Sequence, residues 1–305
     1  MIGNVSHLPI FNISLFSLFW ALQIFVSKVA FEAGENPVSF TIQAGIVALF
    51  VLAIYILPRK GNEFKNLSKG IIAKLLVANA VHFGLGIFFC NAGTALTSAI
   101  NAGFLVKFGL VTTTLLALFF LHEKMTISKM VAVLTMLVGS YFISTKGNRI
   151  VPQPGDALIL LACLCWSAAN VSIRKILKDS TISDEIVTLL RPVAGIPLLV
   201  VFVFLAPLYP EPIKSVFQVD ILEMRFPFLV AANGLFLALL FLFLNRTLKV
   251  ASASYMTMMS MITPIVVSIL AVTILKEEMK WIQVVGATLI ISSGVATHYL
   301  QIDKQ

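Results

Sequence analysis

Apolar runs long enough to cross a bilayer recur ten times along the chain. They fall at 11–31, 38–57, 71–91, 98–121, 130–145, 156–173, 186–206, 226–245, 252–275 and 281–299. About 20 apolar residues span a hydrocarbon core as a helix, so the pattern predicts ten membrane helices. Most polar interruptions are short, which makes sequence neighbours antiparallel packing partners. The longest are 58–70 and 207–225. A third, Lys146–Gly155 (KGNRIVPQPG), carries the prolines and glycines that break helix and separates two groups of five spans.

The two groups are copies. At an offset of 154 residues, 14 of the 61 positions in 71–131 are identical, without a gap. Ser98 meets Ser252, Ala117 meets Ala271 and Glu123 meets Glu277; inside apolar runs, Asn79 meets Asn233 and Asn91 meets Asn245. In the first span of each copy, Trp20 and Lys28 align with Trp166 and Arg174. Self-similarity at a fixed offset is an internal duplication. Five spans per copy is odd, so the second copy enters the membrane from the opposite side. The expected fold is an all-α integral membrane protein, ten transmembrane helices in two inverted five-helix repeats, 1–146 and 147–305. Such repeats in transporters meet around a central site.

Composition agrees. Hydrophobic residues make up 59% and charged residues 12%, with a mean hydropathy of +0.97. Soluble domains carry about 25% charged residues. The net charge of +8 reads as topological lysine and arginine in the loops rather than as a nucleic-acid surface. Cys90, Cys163 and Cys165 lie in apolar runs without metal or disulfide spacing and read as small buried hydrophobes. The N-terminal MIGNVSHLPI lacks a charged signal region, so the first span is expected to be retained.

Span four, Ser98–Leu121, holds one ionisable side chain, Lys107, its tenth residue. Helical rise places it roughly 13 Å from one end and about 21 Å from the other. Gly103, Lys107, Leu110, Thr114 and Ala117 form one stripe, small or polar for the most part, and Phe104, Phe108, Leu115 and Phe119 lie elsewhere around the helix. The lysine is therefore expected to face other helices or a water-filled cavity, as a substrate ligand or as a structural lysine on helix carbonyls.

Other polar and aromatic residues in the spans carry two readings each. Asn79 and Asn233 are interhelical hydrogen-bond donors or site lining. Asn91 and Asn245, at span ends, read as caps. Trp20, Trp166 and Tyr255 are core or cavity wall. Met256, Met258, Met259 and Met261 are core filler or adaptable lining. His82 is an interior histidine or the candidate for proton coupling, since all 14 acidic residues fall in loops or at span ends. Arg191, five residues into span seven, is expected to snorkel, with Pro192, Gly195 and Pro197 bending the helix beyond it. His122-Glu123 fails as a zinc-hydrolase motif because Thr126 stands where the second histidine belongs. Glu123 and Glu277 read as charges before the first turns of spans five and ten. No phosphate-binding glycine loop is present, so neither ATP nor another cofactor, nor a metal, is implied.

Two five-helix repeats, each with an apolar fourth helix followed by a glutamate (LHEK, LKEE) and a last helix with paired small residues (Gly139-Ser140, Ser293-Gly294), resemble the EamA family of the drug/metabolite transporter superfamily. The resemblance covers about 13–299. That family often carries a proline in the fourth helix of each repeat; Pro264 fills the position in the second half and Leu110 departs from it in the first. The resemblance implies a carrier or exporter of small polar or amphipathic metabolites in the cell membrane, without choosing among amino acids, sugar phosphates, nucleotide sugars or drugs. An intramembrane lipid-modifying enzyme would need an Asp/Glu/His constellation, of which only scattered members exist. A receptor or scaffold would have no use for inverted symmetry. Helices 1, 3, 4, 6, 8 and 9 are expected to line the cavity through Trp20, Asn79, Lys107, Trp166, Asn233 and Tyr255.

With the N-terminus inside, 13 basic residues fall in cytoplasmic segments and 7 outside, so both termini are expected in the cytoplasm. Single cysteines placed in 58–70 and in 32–37, in a background without Cys90, Cys163 and Cys165, test this. An impermeant maleimide on intact cells should label the second segment and spare the first; the reverse pattern inverts the topology.

Overall fold

In the computed structural model, which describes residues 8–302 apart from 66 and 277, ten helices are long and apolar enough to cross a membrane. They are α1 (Leu8–Glu32), α2 (Pro37–Lys65), α3 (Lys69–Ala95), α4 (Ala99–Leu105, Val106–Phe108 and Gly109–Phe120 in succession), α5 (Ile127–Thr145), α6 (Asp156–Asp179), α7 (Asp184–Phe204), α8 (Pro227–Val250), α9 (Ala253–Ile274) and α10 (Trp281–Ile302). A short helix, Ile213–Phe217, lies between α7 and α8. No strand occurs among the described residues. Connections 67–68, 121–126, 180–183 and 251–252 share one face, here the near face; 33–36, 96–98, 146–155, 205–226 and 278–280 lie on the far face. The outer surface exposes Phe11, Phe50, Phe119, Ile127, Phe228 and Trp281, as the lipid-facing side of a membrane bundle does.

One expected loop is helix. The segment 58–70 is polar, but α2 continues through Pro58 to Lys65, and only 66–68 separate it from α3. Hydropathy falls there because the helix leaves the apolar layer, and KGNEFK keeps its propensity. Beside the proline, the Arg59 guanidinium donates to the Tyr55 carbonyl at 2.7 Å.

Lipid tails are as apolar as leucine, so helix association rests on close packing and interhelical hydrogen bonds. Glycines supply the close approaches. A Cβ on Gly139 of α5 would stand 2.6 Å from the Gly286 carbonyl of α10, and one on Gly286 would stand 2.5 Å from the Gly139 carbonyl. Gly195 of α7 receives the Phe83 ring of α3, and Gly84 of α3 receives Leu198 of α7. Gly86 of α3 faces the Trp166 indole of α6, and on the far face Gly93 meets Gly155. α7 is continuous through Pro192 and Pro197.

Gly139→Ala and Gly286→Ala force α5 and α10 apart and should each cost about 1–3 kcal/mol. A lowered unfolding temperature of the detergent-purified protein is the readout. Gly103→Ala, whose Cβ would meet nothing nearer than 3.9 Å, should leave it unchanged.

Candidate functional site

The site is built on a helix break that occurs twice. α4 and α9 each begin with a serine N-cap: the Ser98 hydroxyl accepts from the Asn101 amide and the Ser252 hydroxyl from the Tyr255 amide, both at 3.2 Å. Seven α-helical residues follow, then one 3-10 turn, Val106–Phe108 or Ser260–Ile262, then a second α-helical stretch. Every boundary obeys the offset of 154. In α9 the break precedes Pro264, whose ring cannot sit against the carbonyl four residues back. α4 has Leu110 there, and α6 supports the turn instead. The Cys163 thiol donates to the Leu105 and Val106 carbonyls at 3.4 and 3.5 Å. The Ser167 hydroxyl lies 3.3 Å from the Gly109 carbonyl and 2.6 and 2.8 Å from the hydroxyls of Thr112 and Thr113. Cys163 is thus more than filler.

Lys107 occupies the 3-10 turn of α4 and Met261 that of α9. Leu110, Thr114 and Ala117 of its stripe are buried, and Leu115 and Phe119 are exposed on the outer surface. The Lys107 ammonium lies 5.8 Å from the centroid of the Trp20 ring of α1, within cation–π range. No carboxylate pairs with it among the described residues. The bundle therefore holds an uncompensated cation at a helix break, half-buried, with an aromatic wall.

α3 and α6 meet at the far face and at Gly86–Trp166, then diverge toward the near face around an open groove of about 740 Å³. Its lining includes Ala78 and Val81 of α3, Ala169 and Ser172 of α6, and the charged Lys74, Lys175 and Asp179. α3 is π-helical over Ala80–Leu85, a segment that contains His82. π-Bulges of this kind frequently mark functional sites. Asn79 is fully buried with no hydrogen-bond partner, and His82 Nδ1 likewise has none.

A family model described as the EamA-like transporter family matches residues 7–145 and again 153–297. The chain belongs to the EamA-like transporter family. It is a multi-pass membrane transporter, built from two repeats of that family's domain. A Bacillus subtilis (strain 168) protein named "Uncharacterized transporter YyaM" is 24% identical over 301 residues, spanning 96% of this chain and 94% of its own. A crystal structure superposes with a TM-score of 0.73 at 15% identity over 96% of this chain and 99% of the other, which shows the shared fold.

In this EamA-like transporter the predicted residues separate into groups. Lys107 and Trp20 face each other, whereas Trp166 lays its indole on Gly86 of α3. Asn233 is committed elsewhere: its amide donates to the Gln23 carbonyl at 3.0 Å and the Ser27 hydroxyl at 2.9 Å, binding α8 to α1. Tyr255 lies at the near-face start of α9, its hydroxyl 2.9 Å from His298 Nδ1 of α10. Neither meets Lys107.

Three expectations are corrected. Arg191 does not snorkel; it is fully buried, its Nη2 donating to the side-chain oxygens of Asn170 (3.2 Å) and Asn245 (2.8 Å). Asn245 is therefore no cap: α8 runs on to Val250, and the asparagine amide also donates to the Thr188 hydroxyl at 3.0 Å. Glu123 caps α9 rather than α5, accepting from the Ala253 amide at 2.9 Å and from the Ser254 amide and hydroxyl. The chain turns at His122, at φ 53°, and so carries Glu123 under the other repeat. Its twin Glu277 lies outside the described residues. A signal for Arg191 existed: an arginine, like Lys107, with no carboxylate at its depth in any span.

Ser167→Ala should destabilise the protein by about 1–3 kcal/mol, because the buried Thr113 hydroxyl loses its partner. Thermal unfolding measures this; Ser172→Ala, on the exposed side of α6, serves as the silent control.

Proposed function

We propose that the chain is a secondary transporter of small polar or amphipathic metabolites across the cell membrane, with both termini cytoplasmic, and that the solute carries a carboxylate or phosphate bound by Lys107. The observation that carries the reading is the Lys107 ammonium, in a helix break beside Trp20, without a carboxylate partner. A charged lysine at mid-span costs about 2.5–3.5 kcal/mol on insertion scales. An anionic solute offsets that cost, and Trp20 and Trp166 provide flat apolar surface for its remainder. Asn79 is the neutral hydrogen-bonding member of the set, and His82, one turn along α3, is the candidate proton carrier. The twin of Lys107 is neutral Met261, so the two repeats offer a charged end and an apolar end to an asymmetric solute. Gradient-driven or exchange transport fits a chain without a nucleotide-binding motif.

Comparing metabolite accumulation in cells with and without the protein names the solute, and uptake into liposomes without ATP then measures transport. Lys107→Met should raise KM or lower the rate at least tenfold, while Lys107→Arg should keep part of the activity. A folded methionine variant with unchanged KM and rate removes Lys107 from the site.

A further inference from the structure

Unsatisfied polar capacity in the interior is concentrated in one layer. Of the eleven buried side-chain N and O atoms without a partner among the described residues, five belong to Asn79, His82 and Arg191. These residues stand at one level. α3 and α7 run parallel with Phe83 seated on Gly195, which puts Asn79 opposite Arg191. α8 runs antiparallel and places Phe241 against Phe83 and His82, with ring centroids 5.5 and 6.3 Å apart, and Asn245 one turn nearer the near face. α6 contributes Asn170, one turn beyond the Gly86–Trp166 contact.

Arg191 is the centre of the layer. Two asparagine oxygens hold Nη2, the Phe241 ring lies 5.5 Å from the guanidinium carbon, and Nε and Nη1 have no acceptor. No carboxylate reaches it; Asp184, on the same helix, is paired at the near face with Arg246 (3.7 Å) and Lys249 (3.3 Å). A buried guanidinium held by neutral oxygens alone leaves its charge uncompensated, and arginine's fan of donors suits oxyanions. The groove between α3 and α6 runs alongside: Ala78, Val81 and Ala169 in its wall are the sequence neighbours of Asn79, His82 and Asn170, which do not themselves line it. Its charged lining residues are Lys74, Lys175 and Asp179, two cations and one carboxylate.

We propose that Arg191, with Asn79 and His82, forms a second oxyanion-binding station on the near-face side of Lys107. α6 links the two stations. Cys163, beside the Lys107 turn, and Asn170, on Arg191, are seven residues apart, about 10 Å along the helix. The solute's carboxylate or phosphate passes between two fixed cations, and an anion wide enough to span them engages both. The word solute rests on the reading given above; the anion site itself is centred on Arg191 rather than Lys107.

Equilibrium dialysis of the purified full-length protein against labelled malonate and labelled inorganic phosphate, at constant ionic strength in chloride, tests the station. Saturable binding of at least one anion is expected, and the one that binds names the headgroup class. In a Lys107→Met background, which leaves this station alone, Arg191→Gln should weaken binding at least tenfold and Arg191→Lys should fall between. If Arg191→Gln does not give a monodisperse protein, Asn79→Ala combined with His82→Leu removes the unpartnered Asn79 amide and His82 Nδ1 and should weaken binding in the same assay. Absence of saturable binding to the parent overturns the proposal, as does binding that survives both the Arg191 and the Asn79/His82 changes. Binding lost in Lys107→Met but kept in Arg191→Gln overturns it too, while leaving the Lys107 reading intact.

Discussion

A bilayer interior offers no water to a backbone carbonyl or amide, so any departure from regular helix at that depth must be answered by protein. The chain departs in three helices: the π segment of α3 and the 3-10 turns of α4 and α9. In α4 the answer is visible atom by atom, with Cys163 and Ser167 of α6 meeting the carbonyls around the turn. The irregular turn carries Lys107, and the support that makes the turn tolerable also fixes where the ammonium points. Backbone satisfaction and site geometry are one problem solved by one pair of helices.

The duplication makes the comparison internal. α4 and α9 share their caps, their turn and their boundaries, although only α9 has a proline to account for its break. A break that persists in α4 with Leu110 at that position is held by tertiary contacts. Two half-helices joined by one 3-10 turn recur at equivalent positions in both repeats. The symmetry fails at two polar residues: Lys107 stands against Met261, and His82 against Phe236. The π segment likewise has no counterpart in α8, which is regular throughout.

The second cation shows how neutral oxygens stand in for a carboxylate. Arg191 is held by Asn170 and Asn245, and Asn245 is held in turn by Thr188. A carboxylate at that point would neutralise the arginine permanently. Amide oxygens orient it and leave its charge available, which is the property a transient anionic partner requires.

The ten spans, the duplication and the inward stripe of Lys107 were legible in the sequence because each is a periodic or offset pattern that depends only on local composition and helical geometry. The odd number of spans per copy decided the inversion without any contact being known. What the pattern could not carry was pairing. Hydropathy ended α2 at Pro58 and span eight at Asn245, since it measures apolarity rather than helix, and so Asn245 looked like a cap. Arg191 looked able to reach an interface because sequence depth does not say which helices stand around it. Asn79 and Asn233, twins by alignment, went to different fates: one is unpartnered and buried, the other tied to Gln23 and Ser27 of α1. Glu123 was placed under its own neighbour and caps the opposite repeat. Each of these was decided by which helix lies alongside which, a long-range property that emerges only when glycine contacts such as Gly195–Phe83 and Gly139–Gly286 bring the spans together.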